Sequence, residues 1–137
     1  MIDIFKVLTD IFRSGEKTIR YQAGLVAGYS FTKRIAESMG KDLILNNLAM
    51  FMNLYRSVGW GMARLIEIDW EKGYAQVAFK DSFECLSERP SVDPASYFIK
   101  GHLRGVFEEL FERRVNIQET TCQAAGSPEC TFLINTS

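Results

Sequence analysis

Glu119-Thr120-Thr121-Cys122-Gln123-Ala124-Ala125-Gly126-Ser127-Pro128-Glu129-Cys130 puts a carboxylate and two thiols on either side of a turn-forming Gly-Ser-Pro. Before it, Val115-Asn116-Ile117-Gln118-Glu119 alternates apolar and polar residues, the period of a half-buried strand. After it, Thr131-Phe132-Leu133-Ile134 reads as a second short strand. The spacing therefore predicts a C-terminal β-hairpin with a Glu/Cys/Cys site at one end. Glu119 shares the strand face of Val115 and Ile117. A carboxylate on an apolar face needs a cation or strong donors to stay ionised. Thiolates beside a carboxylate suit zinc better than calcium or magnesium, which take all-oxygen shells. The spacing, E-x2-C-x7-C, is not that of a zinc finger, so two free buried cysteines or a disulfide stay open beside a metal. On an unbroken strand Glu119 and Cys122 point to opposite faces. Joint ligation thus requires a bend or bulge at Thr120-Thr121.

Working upstream, Asp93-Pro94 is a helix-start signal, with an N-cap aspartate and proline at the first helical position. The helix it predicts runs to about Arg113, with Ile99, Leu103, Val106 and Leu110 as its apolar stripe and Phe98, Phe107 and Phe111 beside them. Gly101 and Gly105 lie four apart on it, with His102 between them. A single histidine is weak evidence for catalysis. A matching pair, Gly24 and Gly28, lies in a long helix predicted over Thr18 to Met39. Each glycine costs a helix about 1 kcal/mol against alanine, so close backbone packing should offset it. The two pairs predict that these helices pack against each other.

An N-terminal helix of about residues 3–13 is predicted by Ile4, Phe5, Leu8, Ile11 and Phe12, with Ser14-Gly15 as its end. Lys41 to Val58 reads as a third helix. Its Phe51, Met52 and Tyr55 are core residues or the lining of a cavity, where methionine adapts to apolar ligands. Gly59 turns helix into sheet. Trp60 to Asp69 and Tyr74 to Cys85 read as two strands joined by a hairpin turn at Trp70-Glu71-Lys72-Gly73. Cys85, at the end of the second, is an inert buried thiol or a further metal ligand. Leu86 to Val92 reads as a loop.

The whole is expected to be one α+β domain over 1–137, with several helices packed on a small antiparallel sheet. Length permits one core. A net charge of −1 with no basic block argues against sequence-independent nucleic-acid binding. No apolar run approaches the ~20 residues of a membrane span. The N-terminus lacks a signal-peptide layout, and three cysteines are an odd count for a disulfide framework, so a cytoplasmic location is expected.

Four segments taken together resemble a known family: Tyr21-Gln22-Ala23-Gly24-Leu25-Val26-Ala27-Gly28, Asp81-Ser82-Phe83-Glu84-Cys85, the Gly101/Gly105 pair, and Glu119-x2-Cys122-x3-Gly126-x3-Cys130. They are similar to the 4-vinyl reductase domain, a small ligand-binding module. The resemblance spans roughly Ile19 to Ile134, and its most specific part is the C-terminal spacing. The family includes sensor domains of phenol- and toluene-responsive activators and a protein of bacteriochlorophyll synthesis. Its fold is shared with haem-nitric-oxide sensors and transport-particle (TRAPP) tethering subunits. In the aromatic sensors the motif holds a structural zinc, which the resemblance carries onto Glu119, Cys122 and Cys130. Their fourth ligand is a cysteine whose position here is Ser96, so Cys85 or water takes its place, or zinc is lost. The resemblance places a ligand pocket between helices and sheet. The histidine and tryptophan that hold the phenol hydroxyl in those sensors correspond here to Tyr55 and Phe79, with Val77 and Ile117 as neighbours. A pocket of Phe51, Tyr55, Val77, Phe79 and Ile117 implies a larger or more apolar ligand than phenol.

The expected function is a non-enzymatic module binding a small hydrophobic molecule, with a structural zinc held by Cys85, Glu119, Cys122 and Cys130. No nucleotide-binding loop or nucleophile–base pair is legible. A homodimer is expected by resemblance, and Phe5 and Phe12 could serve it. The alternatives are an enzyme or accessory of tetrapyrrole metabolism and a tethering scaffold without ligand.

Overall fold

A computed structural model describes residues 3–87, 90 and 94–136. Helix α1 spans Ile4–Met39, followed by three short helices, α2 (Lys41–Asn46), α3 (Leu48–Met52) and α4 (Leu54–Ser57). Strands β1 (Met62–Asp69) and β2 (Tyr74–Lys80) precede a short helix α5 (Phe83–Ser87) and the long α6 (Tyr97–Phe111). Strand β3 (Val115–Thr121), a 3-10 turn at Gln123–Ala125 and strand β4 (Cys130–Thr136) complete the chain. The sheet is antiparallel in the order β1-β2-β4-β3. The α+β expectation stands.

Alternation decides which sheet face is covered. Ala75, Val77 and Phe79 of β2 and Phe132 and Ile134 of β4 are fully buried. Register sets Val77 opposite Phe132 and Phe79 opposite Cys130. Over this face lies α6, whose Ile99, Leu103, Val106 and Phe107 are also fully buried. Burying each such side chain stabilises the fold by about 1.5–3 kcal/mol. Helix α1 covers the other side of α6, and the glycine pairs meet there as predicted. A Cβ on Gly24 would overlap the Phe98 carbonyl oxygen, and one on Gly28 the His102 carbonyl oxygen. Gly101 meets the Tyr21 carbonyl and Gly105 the Leu25 carbonyl in the same way.

Four boundaries differ from the expectation. Ser14-Gly15 does not end a helix: α1 is continuous from Ile4 to Met39. One interior glycine weakens a helix without breaking its hydrogen bonds. The predicted third helix is instead three pieces, interrupted at Asn47 (φ −130°) and at Asn53. The Asn47 side chain donates from Nδ2 to the Leu43 carbonyl at 2.9 Å, competing with the helical ladder. The strand from Tyr74 ends at Lys80, because Asp81 turns left-handed (φ 56°) and starts α5. Finally, α6 begins at Tyr97, after Ser96, rather than at Asp93-Pro94. Asp93 lies outside the described residues, as do the side chains of Phe5 and Phe12.

The start of α6 shows what replaced the local cap. The carboxylate of Glu84, from α5, accepts hydrogen bonds from the backbone N–H groups of Phe98 (2.8 Å) and Ile99 (2.7 Å). It also accepts one from Arg20 Nη1 of α1 at 3.2 Å. A buried carboxylate thus satisfies the orphan donors of a helix start from far away in sequence. No described helix is long and apolar enough to cross a membrane.

Candidate metal centre and apolar cleft

The bulge required at Thr120-Thr121 is present. The β3–β4 register shifts between Glu119 and Thr121. Thr120 and Thr121 are both exposed, whereas Glu119 and Cys122 on either side are both buried. One extra residue in the strand has brought the carboxylate and the thiol to one side. The turn through Gln123–Ala125 and Gly126 (φ 106°) then leads back to Cys130, opposite Phe79.

Cys85 joins these two from α5. Its Sγ lies 3.1 Å from that of Cys130 and 3.8 Å from that of Cys122, and all three sulfurs are within 4.8 Å of one another. The left-handed turn at Asp81 makes this possible, because a continued strand would have carried Cys85 past the sheet end. Ser82 Oγ then accepts the Cys85 N–H at 3.1 Å and caps α5. Asp81 and Gln123 clamp the two thiol-bearing segments: the Asp81 N–H donates to Gln123 Oε1 at 2.8 Å, and Gln123 Nε2 donates to Asp81 Oδ1 at 3.0 Å. Ser96 also faces the cluster, with Oγ 3.4 Å from Cys85 Sγ and 3.7 Å from Cys130 Sγ. Backbone N–H groups of Ala95 and Gln123 donate to Cys122 Sγ (3.4 Å) and Cys130 Sγ (3.2 Å).

These contacts favour negative charge on sulfur. The Cys130 thiol, and after it Ser82 and Ser96, hold the Cys85 thiol well below its ordinary value against the opposing effect of burial. Cys130 is pushed up by that same contact and then by burial. Burial, followed by the neighbouring Glu119 carboxyl, raises Cys122. Burial likewise raises Glu119. Both Glu119 oxygens are buried without a hydrogen-bond partner among the described residues. An unpaired buried carboxylate is costly, and a nearby cation would remove that cost. The donor set fits zinc. Sulfurs about 2.3 Å from a tetrahedral zinc stand about 3.8 Å apart, close to the Cys85–Cys122 separation.

A second feature lies on the other side of α6. Ala27 and Phe31 of α1, Leu54, Tyr55 and Val58 near α4, Trp60 and His102 enclose a half-open cleft of about 210 Å3. Its polar element is a buried pair, Tyr55 Oη and His102 Nδ1, 2.7 Å apart. Burial pushes the Tyr55 phenol far above its ordinary value and the His102 imidazole down to about 4. Both are therefore neutral at pH 7, and the Tyr55 O–H can donate to Nδ1. Trp60 stands edge-on to the imidazole, with ring centroids 5.1 Å apart. Tyr55 is the member of the expected ligand set that lines this cleft. Phe51, Val77 and Phe79 lie in the buried core, Phe79 edge-on to Tyr55 at 5.2 Å, and Ile117 is half-buried against it. Trp60 and His102 were legible only as a glycine-flanked tryptophan and a lone histidine between helix glycines.

His102 makes the fold acid-sensitive. Its folded value of about 4 lies below an ordinary histidine near 6.5, so the unfolded chain binds the proton first. Stability present above pH 6.5 is expected to fall as pH drops toward 4, by about 3 kcal/mol in total. Urea denaturation across that range would measure it. The double variant Tyr55→Phe/His102→Leu should flatten the slope, and an unchanged slope would assign it elsewhere.

Comparison with known proteins agrees with this architecture. Residues 76–136, from β2 to β4, match the 4-vinyl reductase domain. An uncharacterized protein of Methanocaldococcus jannaschii is 31% identical over 109 residues, covering 77% of this chain and 46% of its own length. The chain thus spans about half of that relative. Among solved structures, the phenol-responsive sensory domain of the transcription activator PoxR, determined with phenol, superposes with a TM-score of 0.71 at 18% identity, over 88% of this chain and 64% of that one. A vinyl-4-reductase family protein from Methanocaldococcus jannaschii gives 0.62 at 20% identity, over 100% and 83%. A trafficking protein particle complex subunit 3 from Naegleria fowleri, covalently bound to palmitic acid, gives 0.57 at 12% identity, over 96% and 89%. At these identities the structural likenesses establish the fold.

Proposed function

We propose that this chain, which carries a 4-vinyl reductase domain over residues 76–136, is a non-enzymatic sensor-type module that takes a small hydrophobic molecule into the cleft beside Tyr55, Trp60 and His102. The observation that carries this reading is the neutral Tyr55–His102 pair set in an otherwise apolar wall. Small-molecule sites are commonly concave and apolar, with a few fixed polar groups. With Nδ1 engaged by Tyr55, the other imidazole nitrogen can meet one polar atom of a bound molecule. The cleft suits a ligand with a flat or branched apolar body and a single hydroxyl or carbonyl. The likeness to a phenol-responsive sensory domain supports a sensing role over a closed scaffold. As part of the same reading, Cys85, Cys122 and Cys130 hold a structural zinc, with Glu119 as the fourth donor or as the charge behind Cys122. Zinc there would cross-link α5, the β3 bulge and β4. Homodimerisation and a cytoplasmic location complete the proposal.

Thermal shifts with a panel of aromatic and alkyl alcohols test the cleft. A binder at a hundredfold its Kd should stabilise the protein by about 2.7 kcal/mol. Leu54→Trp, which fills the cleft, should abolish the shift and leave metal content unchanged. If no panel member shifts the wild-type chain, or if Leu54→Trp keeps the shift, the reading is wrong.

A further inference from the structure

Helix α5 is five residues long, yet three successive side chains reach three different places. Phe83 packs on the cleft wall, its ring centroid 6.2 Å from Trp60 and 5.8 Å from Phe98. Its backbone N–H donates to the Trp60 carbonyl at 3.1 Å. Glu84 holds the start of α6, the helix that presents His102 to the cleft. Cys85 enters the thiol cluster. Such a short helix cannot move one of these residues without the other two. The Asp81–Gln123 clamp ties its entry to the turn between Cys122 and Cys130. Phe83 is 39% exposed, so it adds little to the core and its position depends on its neighbours.

We propose that α5 couples the thiol centre to the cleft, so that a soft divalent cation bound by Cys85, Cys122 and Cys130 sets the position of the Trp60 wall. The chain is then a two-input module in which metal occupancy tunes acceptance of the apolar ligand. By linkage, the ligand tightens the metal by the same factor. The coupling rests on the metal reading proposed above, and its direct carrier is the Phe83–Trp60 contact. Phe83 and Glu84 are positioning residues that touch neither ligand.

The test uses zinc alone and the chain's own tryptophan. Trp60 and Trp70 are the two tryptophans, and Trp70 packs edge-on to Phe111 away from the cleft. In a Trp70→Phe background, reduced and chelator-treated protein is titrated with Zn2+ while bound metal and Trp60 emission are followed together. A saturable emission shift that ends at one equivalent, and is lost in Phe83→Ala while that variant still binds one equivalent, is the expected result. Phe83→Leu, which keeps the packing volume, should retain part of the shift. Stoichiometric binding with silent Trp60 emission overturns the coupling and leaves the metal reading intact, as does a shift that survives in Phe83→Ala. No zinc uptake by the wild-type chain overturns both.

Discussion

Gly28→Ala is expected to cost the protein about 3 kcal/mol or more, lowering Tm by about 10 °C. The added Cβ would overlap the His102 carbonyl oxygen and crowd its carbonyl carbon and Cα. These are backbone atoms inside α6, so no side chain can swing away. Relief requires α1 and α6 to separate, which loosens packing on both sides of the contact. Gly101→Ala presses on the Tyr21 carbonyl from the opposite helix and should behave alike. Gly15→Ala is the control. It lies in the same α1, with nothing within 4 Å of an added methyl, and should stabilise by about 0.5–1 kcal/mol. Thermal denaturation of the three variants separates the explanations. If all three alanines stabilise, close helix approach is not what the glycines are for.

Chelation should produce the other large effect. With free zinc a thousandfold above its Kd, metal contributes about 4 kcal/mol of stability that a strong chelator removes. Cys85→Ser should lose that difference, because a hydroxyl is a poor zinc ligand and the cluster then holds two thiols. Ser96→Cys is the informative gain. Ser96 Oγ already lies within 3.7 Å of two of the sulfurs, so a thiol there should tighten zinc and widen the gap between loaded and chelated protein. Denaturation with and without chelator, alongside metal analysis, reads all three chains. Equal stability of loaded and chelated wild-type protein would remove zinc from the proposal.

Much of this was visible before the fold. The conflict between Glu119 and Cys122 on opposite strand faces demanded a bulge, and local period-2 geometry was enough to locate it. Two glycine pairs at helical spacing predicted a helix contact because only a neighbouring backbone makes such a pair useful. The rest was hidden for physical reasons. Asp81 sits in an apolar alternating run, and nothing local says that it turns left-handed there. The cap on α6 comes from Glu84, so the Asp93-Pro94 signal pointed to a start that long-range hydrogen bonds moved. Asn47 and Asn53 were readable as helix breakers, but the apolar periodicity across them read as one helix. The cleft was the least legible, because Ala27, Tyr55, Trp60 and His102 come from four segments that only tertiary packing joins.

The α1–α6 contact also sets a schedule for synthesis. Gly24 leaves the ribosome long before Phe98, the residue whose carbonyl it meets. At roughly 5–20 residues per second, the 74 positions between them take about 4–15 s. Throughout that interval the glycine face of α1 has no mate. A nascent chain of this kind offers chaperones a bare helix first and its complement last, so its yield in a cell depends on how that wait is covered.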